Sequence, residues 1–415
     1  MTTARDDLEG RIAAAVERLD ETALVATLAD LVRIPSVYDP TKPDGNERAA
    51  ADFVAGLLSE WELPYRMWEV APGRPNIVAE LTGGRPGPAL ILEGHTDVVT
   101  AGEPEEWTVD PFGAEIREGR LYGRGAADMK SGLTALLFAT RAIQLAGAEF
   151  AGTLRLAVLA DEEGLMQGAK AFVADGYLDG ATAALICEPE GGRVCVAQKG
   201  ALRLRVQVHG KMAHGAMPEE GANPLTALAE ALVACRKLEA QVQREARPHP
   251  LLGKFYLTPT VVQAGRLEQA NVLPALAELM LDIRTGPEHD HQEIVRRVEA
   301  AVTGATAGVP GTSCAVAVID DRPATETDLN DPLVRATITA HRAEFGVDPP
   351  LGGVPGSTDG TIFWAANRLP LVTYGPGDTT IPHQADEFVR LDEVVACARV
   401  YIGAALRYFA EMERS

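Results

Sequence analysis

Ala89-Leu90-Ile91-Leu92-Glu93-Gly94-His95-Thr96-Asp97 starts as an apolar run and ends in ionisable residues. A short apolar run closed by such residues reads as a buried strand. The same pattern recurs three times. Leu154 to Ala160 runs into Asp161-Glu162-Glu163, and Ala183 to Cys187 runs into Glu188-Pro189. Leu371 to Tyr374 leads to Gly375-Pro376-Gly377 and then to His383. Four strands thus deliver histidine or carboxylate at their C-terminal ends, the edge where open α/β sheets bind ligands. Asn76 to Leu81 reads as a further strand. Leu133 to Leu145 reads as a helix with Leu133, Leu136, Leu137 and Thr140 on one face, and Leu8 to Val32 has helical spacing before Pro35. This alternation predicts an α/β domain with helices flanking a mainly parallel sheet.

The character of the chain changes near Lys199. Leu202 to Val208 alternates like a half-buried strand, and Asn223-Pro224 opens a helix, with Asn as cap and Pro at the first helical position. Strands follow at Thr258 to Gln263 and Leu276 to Ile283, then a helix from His291 to Thr303 and a strand from Ser313 to Ile319. The order βαββαβ is the ferredoxin-like signature. It predicts an inserted α+β domain over 200–321 and a larger domain from 1–199 and 322–415. The larger domain resumes with a helix near Asp331 and ends with one over Asp392 to Met412.

A chain of 415 residues, 46% hydrophobic and 23% charged, has the composition of a globular protein of two or more domains. Its 38 Lys and Arg against 59 Asp and Glu give a net charge of −21, which disfavours nucleic acid and anionic membranes as partners. Five scattered Cys without a CxxC pair point to a reducing compartment. Met1 to Glu9 lacks the basic start and apolar run of a signal peptide, and no stretch approaches the ~20 apolar residues that span a bilayer. The expectation is a cytoplasmic protein.

Two histidines and several carboxylates on one sheet edge suit a divalent metal. Zinc accepts both donor types, and cobalt or manganese could substitute. Clustered carboxylates without a cation would repel one another or take up protons. Asp97, two residues after His95, is placed to accept a hydrogen bond from the ring nitrogen that faces away from a metal. Of the adjacent Glu162 and Glu163, one can bind metal while the other holds water. Taken alone, each residue has an ordinary reading: His95 packs at a strand end, Asp128 caps the next helix, and Glu162-Glu163 is a solvated turn. The Gly-rich Tyr122 to Gly132 stretch is neither GxGxxG nor GxxxxGK, so a phosphate loop is discounted.

Gly94 to Val99, Gly123 to Lys130, Asp161-Glu162-Glu163, and Gly375-Pro376-Gly377 with His383 and Glu387 occur together in this order. This combination resembles the metallopeptidase family of acetylornithine deacetylase, succinyl-diaminopimelate desuccinylase, aminoacylase and glutamate carboxypeptidase, from about Leu24 to Tyr408. The resemblance implies a dinuclear zinc site. His95 and Glu188 would bind one ion, Glu163 and His383 the other, and Asp128 both. Asp97 would support His95, and Glu162 would be the general base. The inserted domain would be the family's lid and dimerisation domain. His209 to His214 matches its glycine-then-histidine loop, so His214 would stabilise an oxyanion in a partner subunit. Asn271 to Pro274 and Leu281 to Arg284 match two further lid motifs, with Arg284 clamping a substrate carboxylate. Gly356 to Asp359 resembles a substrate-side loop, so Ser357, together with Asn271 of the first of those lid motifs, falls among the substrate-binding residues. His289 and His291 read as a loop and a helix start.

The implied activity is hydrolysis of the amide bond of an N-acyl amino acid, of the deacetylase or desuccinylase type, by a homodimer. A dipeptidase or glutamate-type carboxypeptidase with the same machinery is the alternative. Carbamoyl-amino-acid hydrolases place His where Glu188 stands. A non-catalytic relative conflicts with the presence of Glu162 and all five ligand positions. Ser131 stands where the family often has Gly. Glu190 stands where it often has a small or hydroxylated residue, which predicts an altered pocket charge.

Overall fold

The apolar runs become strands and the 3.6-periodic segments become helices. The computed structural model describes residues 4–414, so Met1 to Thr3 of the polar opening and Ser415 lie outside the described residues. The chain begins with α1 (Ala4–Val16), α2 (Glu21–Val32), α3 (Arg48–Glu60), β1 (Tyr65–Ala71), β2 (Arg74–Thr82) and β3 (Arg85–His95). It continues with β4 (Glu115–Arg117), β5 (Arg120–Tyr122), α4 (Ser131–Leu145), β6 (Ala151–Leu159), α5 (Gln167–Ala174), β7 (Ala181–Ile186) and β8 (Val194–Gln198). Next come β9 (Gly200–His209), β10 (Ala213–His214), α6 (Pro224–Glu245), β11 (Tyr256–Ala264), β12 (Val272–Leu273), β13 (Leu276–Thr285), α7 (His291–Thr306) and β14 (Ser313–Arg322). The rest is β15 (Thr325–Glu326), α8 (Pro332–Phe345), β16 (Leu351–Val354), α9 (Gly360–Asn367), β17 (Leu371–Thr373), β18 (Phe388–Arg390) and α10 (Leu391–Met412).

The opening helical segment is two helices, not one. Asp20 has extended backbone and accepts a hydrogen bond from the Ala23 amide at 2.9 Å, which caps α2 and ends the earlier run.

Two compact units form: Met1–Ala197 with Glu326–Gly353 and Thr358–Ser415, and Gln198–Thr325 with Val354–Ser357. The first holds a sheet in the order β1-β2-β6-β3-β7-β17-β8, with β15 and β16 beside β8. Its four central strands β6, β3, β7 and β17 are parallel, while β1, β2 and β8 pair antiparallel. The centre is apolar on both faces, as a covered parallel sheet requires. Ile91, Leu159, Ile186 and Leu371 pack with Phe172 of α5 and Phe363 of α9. Leu90 and Leu92 point the other way and are equally buried, and α4 and α10 lie against β3 and β6.

In the second unit β11-β13-β9-β14 form an antiparallel sheet, the ferredoxin-like order for its βαββαβ succession. Leu202, Leu204, Val206 and Val208 pack on α6 and α7 through Ala227, Leu228, Val298 and Val302. Asn223 caps α6 through the Leu225 amide at 3.0 Å, with Pro224 at the first helical position. All five Cys are free thiols, and among the described residues no helix is long and apolar enough to cross a membrane.

Candidate metal centre

Parallel pairing aligns strand ends. His95 lies opposite Leu159 and Glu93 opposite Ile186, so the segments that follow β3, β6 and β7 leave the sheet together. His95 Nε2 is 3.3 Å from Asp128 Oδ1 and 3.5 Å from Glu188 Oε1. His383 Nε2 is 3.4 Å from Asp128 Oδ2 and 3.0 Å from Glu163 Oε1. Asp128 therefore turns one oxygen toward each histidine. Donor atoms of His95, Glu162 and Glu188 lie within 4.8 Å of one another, as do those of His95, Asp128 and Glu163.

Asp97 lies against the His95 ring nitrogen as its spacing predicts, most closely through its backbone carbonyl. His95 Nδ1 lies 2.9 Å from the Asp97 carbonyl oxygen and 3.4 Å from its carboxylate. The carboxylate also accepts the amides of Glu162 at 3.1 Å and Glu163 at 3.0 Å. It ties the exits of β3 and β6 together.

Asp128 is not a helix cap. It has extended backbone (φ −117°, ψ 101°), its peptide bond to Met129 is cis, and α4 starts at Ser131 without a side-chain cap. What holds it is Glu387. One oxygen of this buried carboxylate accepts the amides of Ala127 at 2.9 Å and Asp128 at 3.0 Å, and the other meets Arg124 Nη1 at 2.5 Å. Lys130 Nζ, fully buried, donates to the carbonyls of Leu31 at 3.1 Å and Ile34 at 2.7 Å and anchors the segment to α2. The motif pattern contains Glu387 and Lys130, but nothing local reveals these distant partners.

The charges are frustrated without a cation. Burial opposes a charge on His95, yet the carboxylates of Glu188, Asp128 and Asp97 hold its pKa well above the ordinary value. Asp128 and Glu163 raise His383 to about 10. Burial, with Asp128 close by, pushes Glu188 to about 8. Burial and the neighbouring Glu188 and Glu163 carboxylates push Glu162 well above its usual range. Burial acts against Asp128 too, but His383 and His95 keep it below the usual carboxylate range. His95 Nε2 is buried and makes no hydrogen bond, although two carboxylate oxygens face it. A divalent cation fits such a donor set of imidazoles and carboxylates.

His214, Asn271, Arg284 and Ser357 all belong to the second unit. His214 pairs with Val272 in the β10–β12 ribbon and its Nδ1 accepts the Ala216 amide at 3.1 Å. The Asn271 carbonyl accepts the Gly215 amide at 2.7 Å. Arg284 is held by both oxygens of Asp282, at 2.6 and 3.1 Å. His291 sits between Thr285 and Asp321, and His289 caps its own loop at the Gly286 amide. Glu190 does not add a free charge: its carboxylate meets Arg193 at 2.9 Å and Cys195 at 3.1 Å.

A family model for peptidase family M20/M25/M40 matches residues 91–407. A probable succinyl-diaminopimelate desuccinylase of Staphylococcus epidermidis is 28% identical, covering 92% of this chain and 97% of the relative. A succinyl-diaminopimelate desuccinylase of Caulobacter vibrioides is 31% identical over 79% of this chain and 83% of its own. Among solved structures, the dipeptidase Dug1p of Saccharomyces cerevisiae superposes with a TM-score of 0.76 over 96% of this chain and 98% of that one. At 19% identity this likeness shows a shared fold.

Proposed function

The chain belongs to peptidase family M20/M25/M40 and is a metallo-hydrolase of N-acyl amino acids or dipeptides, and from that premise we propose how its residues carry the reaction. The favoured reaction is amide hydrolysis of an N-acyl amino acid, of the desuccinylase or deacetylase type. His95 and Glu188 would hold one divalent cation and Glu163 and His383 a second, with Asp128 placed to contribute to both. The support is the Asp128 carboxylate, with Oδ1 3.3 Å from His95 and Oδ2 3.4 Å from His383. Zinc is the proposed native ion, with cobalt or manganese as substitutes.

Bound there, the cations would supply Lewis-acid polarisation of the scissile carbonyl and a water acidic enough to act near neutral pH. Glu162 would take the proton from the attacking water and return it to the leaving nitrogen. Its position supports the role, since a donor atom of Glu162 lies within 4.8 Å of donor atoms of His95 and Glu188. Asp97 fixes the tautomer of His95 through its carbonyl and the Glu162-Glu163 turn through its carboxylate.

The second unit acts as a lid in this reading. His214 donates to the developing oxyanion across a homodimer, and Arg284 takes the substrate carboxylate, exchanging it for Asp282. Asn271 and Ser357 line the substrate. The free thiols suit a reducing cytoplasm. The likeness to a dipeptidase favours one second reading, cleavage of dipeptides by the same residues. Parallel assays of N-succinyl, N-acetyl and dipeptide substrates with zinc, cobalt and manganese test this. The desuccinylase reading expects the highest kcat/KM on an N-succinyl amino acid, and preference for dipeptides would replace it with the second.

A further inference from the structure

The turn that carries Glu162 and Glu163 is gripped at its start and end by residues to which no role has so far been given. β2 runs antiparallel to β6, with Ile77 opposite Val158, so the start of β2 lies beside the end of β6. Two side chains from that start reach into the turn. Asn76, fully buried, donates from its amide nitrogen to the Gly168 carbonyl at 2.8 Å and accepts the Ala160 amide at 3.1 Å. It spans both ends of the 160–168 loop. Arg74 Nη1 lies 2.7 Å from Asp161 Oδ1.

Asp161 organises the turn. It sits in the left-handed region at φ +68°, which a non-glycine residue holds only when its surroundings enforce it. Its Oδ2 accepts the amides of Leu165 and Gln167, each at 3.2 Å, and its carbonyl accepts the Met166 amide at 2.7 Å. Arg74 is itself fixed from behind. Its Nε is 2.9 Å from each oxygen of Glu47, and the Tyr38 ring centre lies 3.9 Å from its Cζ. The side chains of Glu47, Arg74 and Asp161 are at most 4% exposed. Burial pushes the Glu47 carboxyl up, but the guanidinium keeps the pair compensated. A cation buried between two carboxylates has one favourable position, and the turn is registered against it.

We propose that Arg74 and Asn76 are positioning residues that aim Glu162 by holding the Asp161 turn, with Glu47 fixing Arg74. This rests on the reading of Glu162 as the general base. None of the three is placed among the proposed metal donors. Their effect is on geometry, where a displacement of ~1 Å can cost ~10²-fold in rate.

The test uses the full-length, metal-loaded protein and its best substrate from the N-acyl amino acid panel. Arg74→Gln, Arg74→Lys and Asp161→Asn are compared with wild type and with Glu162→Gln. Asn tolerates the left-handed backbone and keeps the acceptor for Leu165 and Gln167, so Asp161→Asn removes mainly the charge pair. The expected result is kcat lowered ~10²-fold in Arg74→Gln and Asp161→Asn, with KM within about twofold and two cations still bound. Arg74→Lys should recover part of the rate. Wild-type kcat in folded Asp161→Asn and Arg74→Gln, with Glu162→Gln inactive, overturns the positioning role alone. Full activity in Glu162→Gln overturns the general-base reading and this proposal with it. Loss of bound cations in step with kcat, or failure of all three variants to fold, assigns the network to structure and also overturns it.

Discussion

His95 and His383 face the same carboxylate from opposite sides, yet the chain builds them by different means. The His95 side chain has no solvent exposure and ends a central strand; that of His383 is 52% exposed and stands in a loop at φ +66°. Glu188, the partner of His95, follows another central strand, and the Cys187 carbonyl just before it lies close against Gly132 of α4. Strand register fixes one half of the proposed centre, and hydrogen bonds and turns fix the other. The difference predicts two retained cations of unequal affinity, the one beside His95 and Glu188 being held the more tightly.

The strongest break of this contrast is a pair of substitutions. His95→Ala should abolish activity and leave no tightly bound cation, whereas His383→Ala should also be inactive but keep one. Metal analysis after gel filtration reads this, and equal losses would erase the distinction between the halves. Next in size is Glu387→Gln. It weakens the hold on the Ala127 and Asp128 amides and on Arg124, so metal affinity or activity should fall ~10–100-fold, as for other outer-shell partners. Competition against a chromogenic chelator measures it, and unchanged affinity would deny Glu387 that role.

Removal of the cations exposes the proton competition. In the metal-free protein His383 titrates near 10, above its unfolded value, so its stabilising effect is complete below about 6.5 and lost as pH rises toward 10. Glu188, raised to about 8, favours its protonated form in the fold and adds a loss of the same sign as pH rises to about 8. The native metal-free state binds more protons than the unfolded one, so its stability falls between pH 6.5 and 10. The cation-loaded protein should change less, and the gap between the two melting temperatures should widen with pH. A constant gap would contradict the assigned directions. The smallest effect expected is that of Gly132→Ala. A Cβ there would lie 1.9 Å from the Cys187 carbonyl oxygen, forcing a backbone shift worth about 1–3 kcal/mol on the Glu188 side. Thermal unfolding would show it, and an unchanged midpoint would mean that this side yields more easily than described.

Much of the fold is legible in the sequence because burial imposes periodicity. β3, β6, β7 and β17 are short apolar runs, and α4 and α10 carry helical spacing. The break before α2 was hidden because Asp20 interrupts an otherwise continuous helical pattern with a cap. The polar β4–β5 hairpin and the half-exposed β1 have too little apolar contrast to announce themselves. At the centre, His95, Glu162, Glu163 and Glu188 stand out as ionisable residues at strand exits. Their supports do not. Arg74 and Asn76 open an edge-side strand far upstream of the turn they hold, and only the antiparallel pairing of β2 with β6 brings them there. Asp97 shows the same limit: adjacency points to its contact with His95, but the two amides of another strand exit that its carboxylate also holds are invisible in the sequence.

The most direct test is a count of bound cations in wild-type protein and in Asp128→Ala, each loaded with zinc and freed of excess. Two per chain in the first, with neither held tightly in the second, is the predicted outcome. One per chain in wild type, or two retained without Asp128, would contradict a shared carboxylate at the heart of the site.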